Sequence, residues 1–316
     1  DNSSSSYKFN STIQEIEKAD AILLIGSNPR WEAAVLNARI RKAYIENNCK
    51  IGLIGPKLDL TYDYHHLSDS LDYLNKLSNN KSEFNKVLKS AKNPLIILGT
   101  SAINNDHGKK ILETAGLIAK KIQKNKNINP LNILNQDISR VGALDLKFYN
   151  KKFDNDYNKQ LKKHIDKTKP VVFLMGLDEI NFSTFENAFV VYLGHHGDVS
   201  ASIADIILPT PAYTEKSSTY MNIEGRVIQT TKCHNPIGEA KEEWKIFRVL
   251  SDLFEKNLNF NNLGELRNEL TSTYGQFALL NEVNSIGEIT FAKNNKIENI
   301  KICLLYTSPS PRDLSS

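Results

Sequence analysis

Cysteine is scarce in this 316-residue chain, and what there is does not cluster. Cys49, Cys233 and Cys303 share no CxxC spacing, so they assemble neither a disulfide framework nor a closed zinc or iron-sulfur site. Long apolar runs are also missing. The longest, such as Ala21 to Ile25 and Leu95 to Leu98, fall far short of the roughly 20 residues of a membrane-spanning helix. Nor is there an excess of one charge: 40 basic residues against 36 acidic leave +4, with lysines scattered among asparagines, which disfavours a nucleic-acid-binding stripe. The sequence opens on Asp1 rather than Met. Its tail, CLLYTSPSPRD from Cys303 to Asp313, reads like back-translated sequencing adapter, so a fragment ending in an unstructured scar over 303–316 is expected.

What is present is a series of short apolar runs that each end at glycine: AILLIG, KIGLIG, LIILG, VVFLMG and FVVYLG, ending at Gly26, Gly55, Gly99, Gly176 and Gly194. Continuous rather than alternating apolar runs suit strands buried on both faces, as in a parallel sheet. Between the first two, Trp31, Val35, Ala38 and Ile45 recur at helical spacing, which predicts a helix over Trp31 to Asn47 docking that face and leaving Arg39, Arg41 and Lys42 to solvent. After the Asn104-Asn105-Asp106 turn, Ile111, Leu112, Ala115, Ile118, Ala119 and Ile122 predict a second helix over Gly108 to Lys124. A shorter helix is expected near Asp137 to Leu146. Trp244, Phe247, Leu250, Leu253 and Phe254 predict a docked helix over Glu242 to Phe254, in which Trp244→Ala costs about 3–5 kcal/mol as a core truncation.

The architecture expected is α/β: a doubly wound, mostly parallel sheet, possibly in two lobes. Its divisions read as a leading linker over 1–19, a lobe over 20–148, an insertion or linker over 149–169, a second lobe over 170–260 and a helical C-terminal part over 261–302.

Candidate sites follow from strand ends. Gly26-Ser27-Asn28-Pro29 sits where a strand gives way to a helix, a place where free backbone N–H groups attract phosphate. The same residues also make an ordinary turn, with glycine for the bend, Asn as cap and Pro in the first helical turn, and GSNP is far shorter than a Walker or GxGxxG signature. His195, His196 and Asp198, framed by Gly194 and Gly197, could ligate a metal, but no third ligand recurs at the right spacing. A loop whose histidines bond to backbone is the expectation, and His65-His66 raises the same question. The polar run from Tyr213 to Arg226 has no GxSxG or SxxK pattern, so its residues are expected to satisfy one another in an extended loop facing a ligand or a subunit.

Taken together, ADAILLIGSNPRWEAAVLNARIRKAYIENNCKIGLIG, DLTYDYHHLSDS, GHHGDVSASIADIILPTPAYTEKSSTYMNIEGRVIQT and EEWKIFRVLSD resemble the C-terminal region of the large iron-sulfur subunit of respiratory complex I, a region descended from molybdopterin oxidoreductases. The resemblance spans about Ile16 to Leu253. It implies a sheet of the molybdopterin oxidoreductase type. In cofactor-bearing members of that wider family, segments like GSNP and ADIILP with its EGR loop wrap the molybdenum cofactor. In the complex I form the cofactor is lost and the domain serves architecture. The resemblance therefore implies no catalytic residue, no bound metal and no cofactor, with Gly26, Ser27, Asn28, Pro29, Asp205, Pro209, Glu215, Asn222, Glu224, Gly225 and Arg226 as relic positions holding loops. It places 2Fe–2S and 4Fe–4S clusters in an N-terminal part not present here. It implies the other peripheral-arm subunits and the iron-sulfur domain as partners, neither nucleic acid nor membrane insertion, and a location on the matrix side of the mitochondrial inner membrane or the cytoplasmic face of a bacterial one. The alternatives are a fragment of an active formate-dehydrogenase-like enzyme and an independent nucleotide-binding protein using the Gly26 turn.

Overall fold

A computed structural model describes residues 3–137, 139–148, 157–177, 181–197, 199–283 and 297. Expectations for Asp198, for Cys303 and the tail, and for most of 284–302 lie outside these residues. In chain order the elements are a 3-10 turn (Ile13–Lys18), β1 (Ala21–Ile25), α1 (Pro29–Glu32), α2 (Ala34–Glu46), β2 (Lys50–Ile54), β3 (His65–Ser68), α3 (Tyr73–Ser78), α4 (Phe84–Ser90), β4 (Pro94–Gly99), α5 (Thr100–Ile103), α6 (Gly108–Ile122), β5 (Leu131–Leu134) and α7 (Arg140–Asp145). They continue through α8 (Tyr157–Thr168), β6 (Val171–Met175), β7 (Phe189–Gly194), α9 (Val199–Ser202), β8 (Ile206–Pro209), β9 (Thr219–Met221), β10 (Val227–Gln229), α10 (Glu243–Leu253) and α11 (Leu263–Thr273). The chain forms two compact units: residues 1–147 with Met221–Arg226 and 282–316, and Phe148–Tyr220 with Val227–Asn281.

The first unit is a five-stranded sheet in the order β3-β2-β1-β4-β5, every pairing parallel. Alternate residues of a strand point to opposite faces, and β1 feeds two cores accordingly. Ala21, Leu23 and Ile25 meet α3, α4 and α6 through Leu74, Phe84, Leu88, Ile111 and Ile118. Ile22 and Leu24 meet α2 through Leu36, Ile40 and Ala43. The strand is apolar throughout because neither face sees water.

The face of α2 that docks is not the one its first periodicity suggests. Leu36, Asn37, Ile40 and Ala43 are buried, whereas Trp31, Val35 and Ile45 are 73%, 79% and 64% exposed. The helix carries two apolar stripes at helical spacing on opposite sides, and a sheet covers only one. A break at Ala33 (φ −152°, ψ 65°) divides the expected single helix into α1 and α2.

The N-terminal segment, expected as a linker, is part of the fold. Phe9 bridges Asn132 antiparallel, Ile133 N–H donates to the Lys8 carbonyl (3.1 Å), and Asn132 Oδ1 accepts from the Ser11 N–H and hydroxyl (2.8 and 2.9 Å). The segment thereby covers the edge of β5, whose ladder groups otherwise face outward. Lys8 and Tyr7 both reach the buried Asp145 carboxylate, at 2.9 and 2.6 Å. Cys49 is buried in this unit, and burial together with the Asp20 charge pushes its thiol up to about 12, so it stays protonated and unreactive.

The second unit holds a parallel sheet in the order β6-β7-β8. Its helix α8 occupies most of the stretch expected as an insertion. Strand β6 departs from the two-faced burial expected: Leu174 is buried, but Val171 and Met175 are more than half exposed, on the face where the described residues give only the partial cover of Phe247 over Phe173. On α10, Trp244, Phe247 and Leu250 are half-buried, Phe247 packs on Phe173 and Trp244 on Phe260 (ring centroids 5.6 and 6.3 Å apart), while Leu253 and Phe254 are exposed. Burial opposes ionisation of Glu242, but the Lys245 ammonium at 2.9 Å and the Trp244 indole N–H at 3.0 Å outweigh it and hold the carboxyl below its ordinary range.

Trp244 is half-buried, so Trp244→Ala is expected to cost about 1–3 kcal/mol, below the range for a fully buried aromatic; denaturant titration measures this. A β-carbon on Gly99 would lie 2.2 Å from the Gly26 carbonyl oxygen, a backbone atom that cannot step aside. Gly99→Ala is expected to cost about 2–4 kcal/mol, whereas Gly142→Ala, whose β-carbon would meet Met221 at an ordinary 3.4 Å, stays within about 1 kcal/mol of the parent.

Candidate functional site

The strand order β3-β2-β1-β4-β5 reverses direction between β1 and β4, and open α/β sheets bind ligands in the crevice at the carboxyl ends of such strands. The Gly26 turn stands at that point. Gly26 takes φ +53°, a left-handed conformation suited to glycine, and its N–H donates to the Ile54 carbonyl (2.8 Å).

The Gly26 turn packs on the protein's own groups: Ser101 Oγ donates to the Gly26 carbonyl (2.7 Å), and a β-carbon on Gly26 would stand 2.6 Å from that of Ala102. Beside it, at the carboxyl ends of β4 and β5, lies a cavity of about 290 Å³ lined by Thr100, Ser101, Asn104, Asn135 and Arg140. Two donors of the turn are engaged from the other side. Glu32, one turn into α1, turns its carboxylate back to accept the Asn28 N–H at 2.5 Å and the Ser27 hydroxyl at 3.4 Å. The remaining buried group without a partner in the turn, Asn28 Oδ1, is an acceptor and offers an anion nothing. At the end of β2, where dinucleotide-binding sheets place the ribose-binding carboxylate, stand Gly55 and Pro56. A phosphate placed on the Asn28 N–H would have to displace the Glu32 carboxylate.

The Asn222–Arg226 loop lies in the same unit and is closed on itself. Asn222 Oδ1 accepts from the Glu224 and Arg226 N–H groups (3.1 and 2.9 Å), and Gly225 adopts φ +83° to complete the turn. Glu224, its side chain 5% exposed, accepts from Arg226 Nε at 2.8 Å and from the Ile13 N–H at 2.8 Å. The carboxylate thus pins the loop to the start of the 3-10 turn over Ile13–Lys18, beside the Thr12 cap. Sequence reasoning marked Glu224 as a relic position but missed this partner, which lies more than 200 residues away along the chain. It also missed Glu32 entirely.

Asp205 and Glu215 belong to the second unit. Asp205 Oδ2 accepts the Val190 N–H (2.7 Å) while its own N–H donates to the Val190 carbonyl (2.9 Å), so it joins the first turns of β7 and β8. Glu215 accepts the Ala212 N–H (3.0 Å) and steadies the loop after Pro209. Lys216 pairs with Glu243 at 2.5 Å.

Among the described residues the His195 and His196 rings make no hydrogen bond to backbone, contrary to expectation. They pack edge to face with ring centroids 4.5 Å apart, and the Tyr192 hydroxyl donates to the His196 carbonyl (3.2 Å). In the first unit His66 Nε2 lies 2.8 Å from the Gly55 carbonyl and 3.2 Å from Asp69, and the His65 ring lies 6.0 Å from that of Phe84. Among the described residues no group of three or more His, Cys, Asp or Glu side chains could hold a metal ion.

The fold defines a doubly wound α/β unit with a parallel five-stranded sheet. Residues 1–253 match the Molybdopterin oxidoreductase family, and the chain belongs to it. It is 40% identical over 272 residues to the NADH-ubiquinone oxidoreductase 75 kDa subunit of Reclinomonas americana, covering 84% of this chain and 38% of that protein. It is 41% identical over 271 residues to the NADH-ubiquinone oxidoreductase 78 kDa subunit, mitochondrial, of Neurospora crassa, covering 84% and 35%. The protein of that same name from Candida albicans is 42% identical over 267 residues, covering 83% and 35%. The chain spans little more than a third of the length of these curated relatives. Among solved structures, acetylene hydratase from Pelobacter acetylenicus is similar at a TM-score of 0.45 and 14% identity, over 81% of this chain and 50% of that one, a likeness too distant to add to the family assignment.

Replacing Glu224 by alanine strips the Ile13 N–H and Arg226 of their shared acceptor. The expected cost is about 2–4 kcal/mol, as for one partner removed from a largely buried charged network. Chemical denaturation followed by circular dichroism measures it, with Glu15→Ala as an exposed-pair control expected to cost under about 1 kcal/mol.

Proposed function

We propose that this chain is a non-catalytic structural domain in the peripheral arm of an NADH:quinone oxidoreductase. The observation that carries the proposal is the Glu32 carboxylate seated on the donors of the Gly26 turn, where a cofactor's phosphate would need them. A phosphate arriving there meets a negative charge already hydrogen-bonded, so the site repels what its ancestors would have bound. The printed names of the relatives support the assembly: each is a subunit of NADH-ubiquinone oxidoreductase.

In this reading the electron carriers, 2Fe–2S and 4Fe–4S clusters, belong to another part of a longer polypeptide. The present domain buttresses that part and the neighbouring subunits. The chain sits at the matrix side of the mitochondrial inner membrane. Consistent with a peripheral position, no helix among the described residues is long and apolar enough to cross a membrane.

Elemental analysis and absorbance spectra of the purified chain test the proposal. Sub-stoichiometric molybdenum and no pterin absorbance are expected. A pterin or molybdenum bound one to one would overturn it in favour of a working molybdopterin enzyme, and absence of the chain's peptides from the purified respiratory complex would remove the assembly.

A further inference from the structure

Among the described residues of the first unit, every large apolar side chain that is exposed lies on one short stretch, α1 and α2: Trp31 at 73%, Val35 at 79% and Ile45 at 64%. Ala38, between them on the outer side of α2, is exposed as well. A surface helix ordinarily pairs one apolar stripe with a charged face; a helix apolar on both sides belongs in an interior. The inner stripe of α2 is spent on the sheet, so the outer stripe is a second interior face for which the described residues supply no cover. Beside it, Ile45 and Arg41 also line a shallow groove of about 420 Å³ between α2 and the 58–63 loop.

The charges around the stripe specify what covers it. Arg30 is paired with Asp59, Arg39 and Lys42 are both paired with Glu17, and Arg41 donates to the Thr61 carbonyl. A surface that meets nucleic acid or anionic lipid keeps its cations free for phosphates; here the basic side chains are neutralised or engaged at home. The stripe therefore suits an apolar polypeptide surface. Its size narrows the choice further. Three large side chains offer on the order of a few hundred Å², well short of the roughly 800 Å² per partner of a free-standing interface. So small a patch holds a partner that is covalently tethered and hence present at high effective concentration. Matched relatives carry about two thirds of their length outside the region shared with this chain.

We infer that the Trp31–Val35–Ile45 stripe is the seat of another segment of the same longer polypeptide, docked through an apolar face onto the outer side of α2. This rests on the reading that the chain is part of a subunit like its relatives, but not on that subunit's being assembled into a complex.

The test compares hydroxyl-radical footprints of the 316-residue chain and of the full-length polypeptide, both free of other subunits. Trp31 is expected to oxidise roughly tenfold more slowly in the full-length protein, as for a side chain passing from 73% exposed to buried. Equal oxidation overturns the inference. A Val35→Cys variant on a Cys233→Ser, Cys303→Ser background, labelled with benzophenone maleimide and irradiated, is expected to give a cross-link within one chain that the same background without Val35→Cys does not give. A dimer band assigns the stripe to a second copy, and a cross-link formed only after other subunits are added assigns it to one of those; either result overturns the inference. Loss of the chain from the respiratory complex, with Trp31 still protected in the full-length protein, would instead retire the assembly and leave the docking standing.

Discussion

At the centre of the first unit two backbones approach so closely that neither can carry a side chain. Gly99, at the end of β4, lies against the Gly26 carbonyl at the end of β1, and Ser101 and Ala102 complete the contact. In an open α/β sheet this is the point where the strands part and a crevice opens. Here the two turns close on each other. The Glu32 carboxylate then accepts the Asn28 N–H and the Ser27 hydroxyl, at a position that attracts phosphate in related folds.

The other inherited motifs have been turned to the same end. Glu224 ties the loop between β9 and β10 to the N-terminal segment, which in turn covers the edge of β5. Asp205 pairs the starts of β7 and β8 rather than facing a ligand. In each case a carboxylate that could have met an external cation or hydroxyl meets a backbone N–H of its own chain. Such bonds hold loops in place.

A good part of this was legible beforehand. The apolar runs ending at Gly26, Gly55, Gly99, Gly176 and Gly194 are all parallel strands, and α6 buries the stripe read for it. Glycine-terminated runs too apolar for one wet face leave little choice of architecture. The α2 face was not legible, because Trp31, Val35, Ala38 and Ile45 repeat as regularly as Leu36, Ile40 and Ala43, and periodicity does not say which stripe meets the sheet. Leu253 and Phe254 misled similarly at the end of α10, where the apolar pattern outlasts the surface that covers it.

The sequence by itself determined the strands, their order of appearance and the family, since these depend on local apolarity, on glycine and on long ordered motifs. Only the tertiary structure decided what the Gly26 turn packs on and which side of α2 meets the sheet. Both depend on partners distant in the chain: the β4 turn that meets Gly26, the Ile13 N–H that donates to Glu224, and the sheet residues that meet Leu36, Ile40 and Ala43. A linear pattern records which residues could be buried, but contact geometry selects among them.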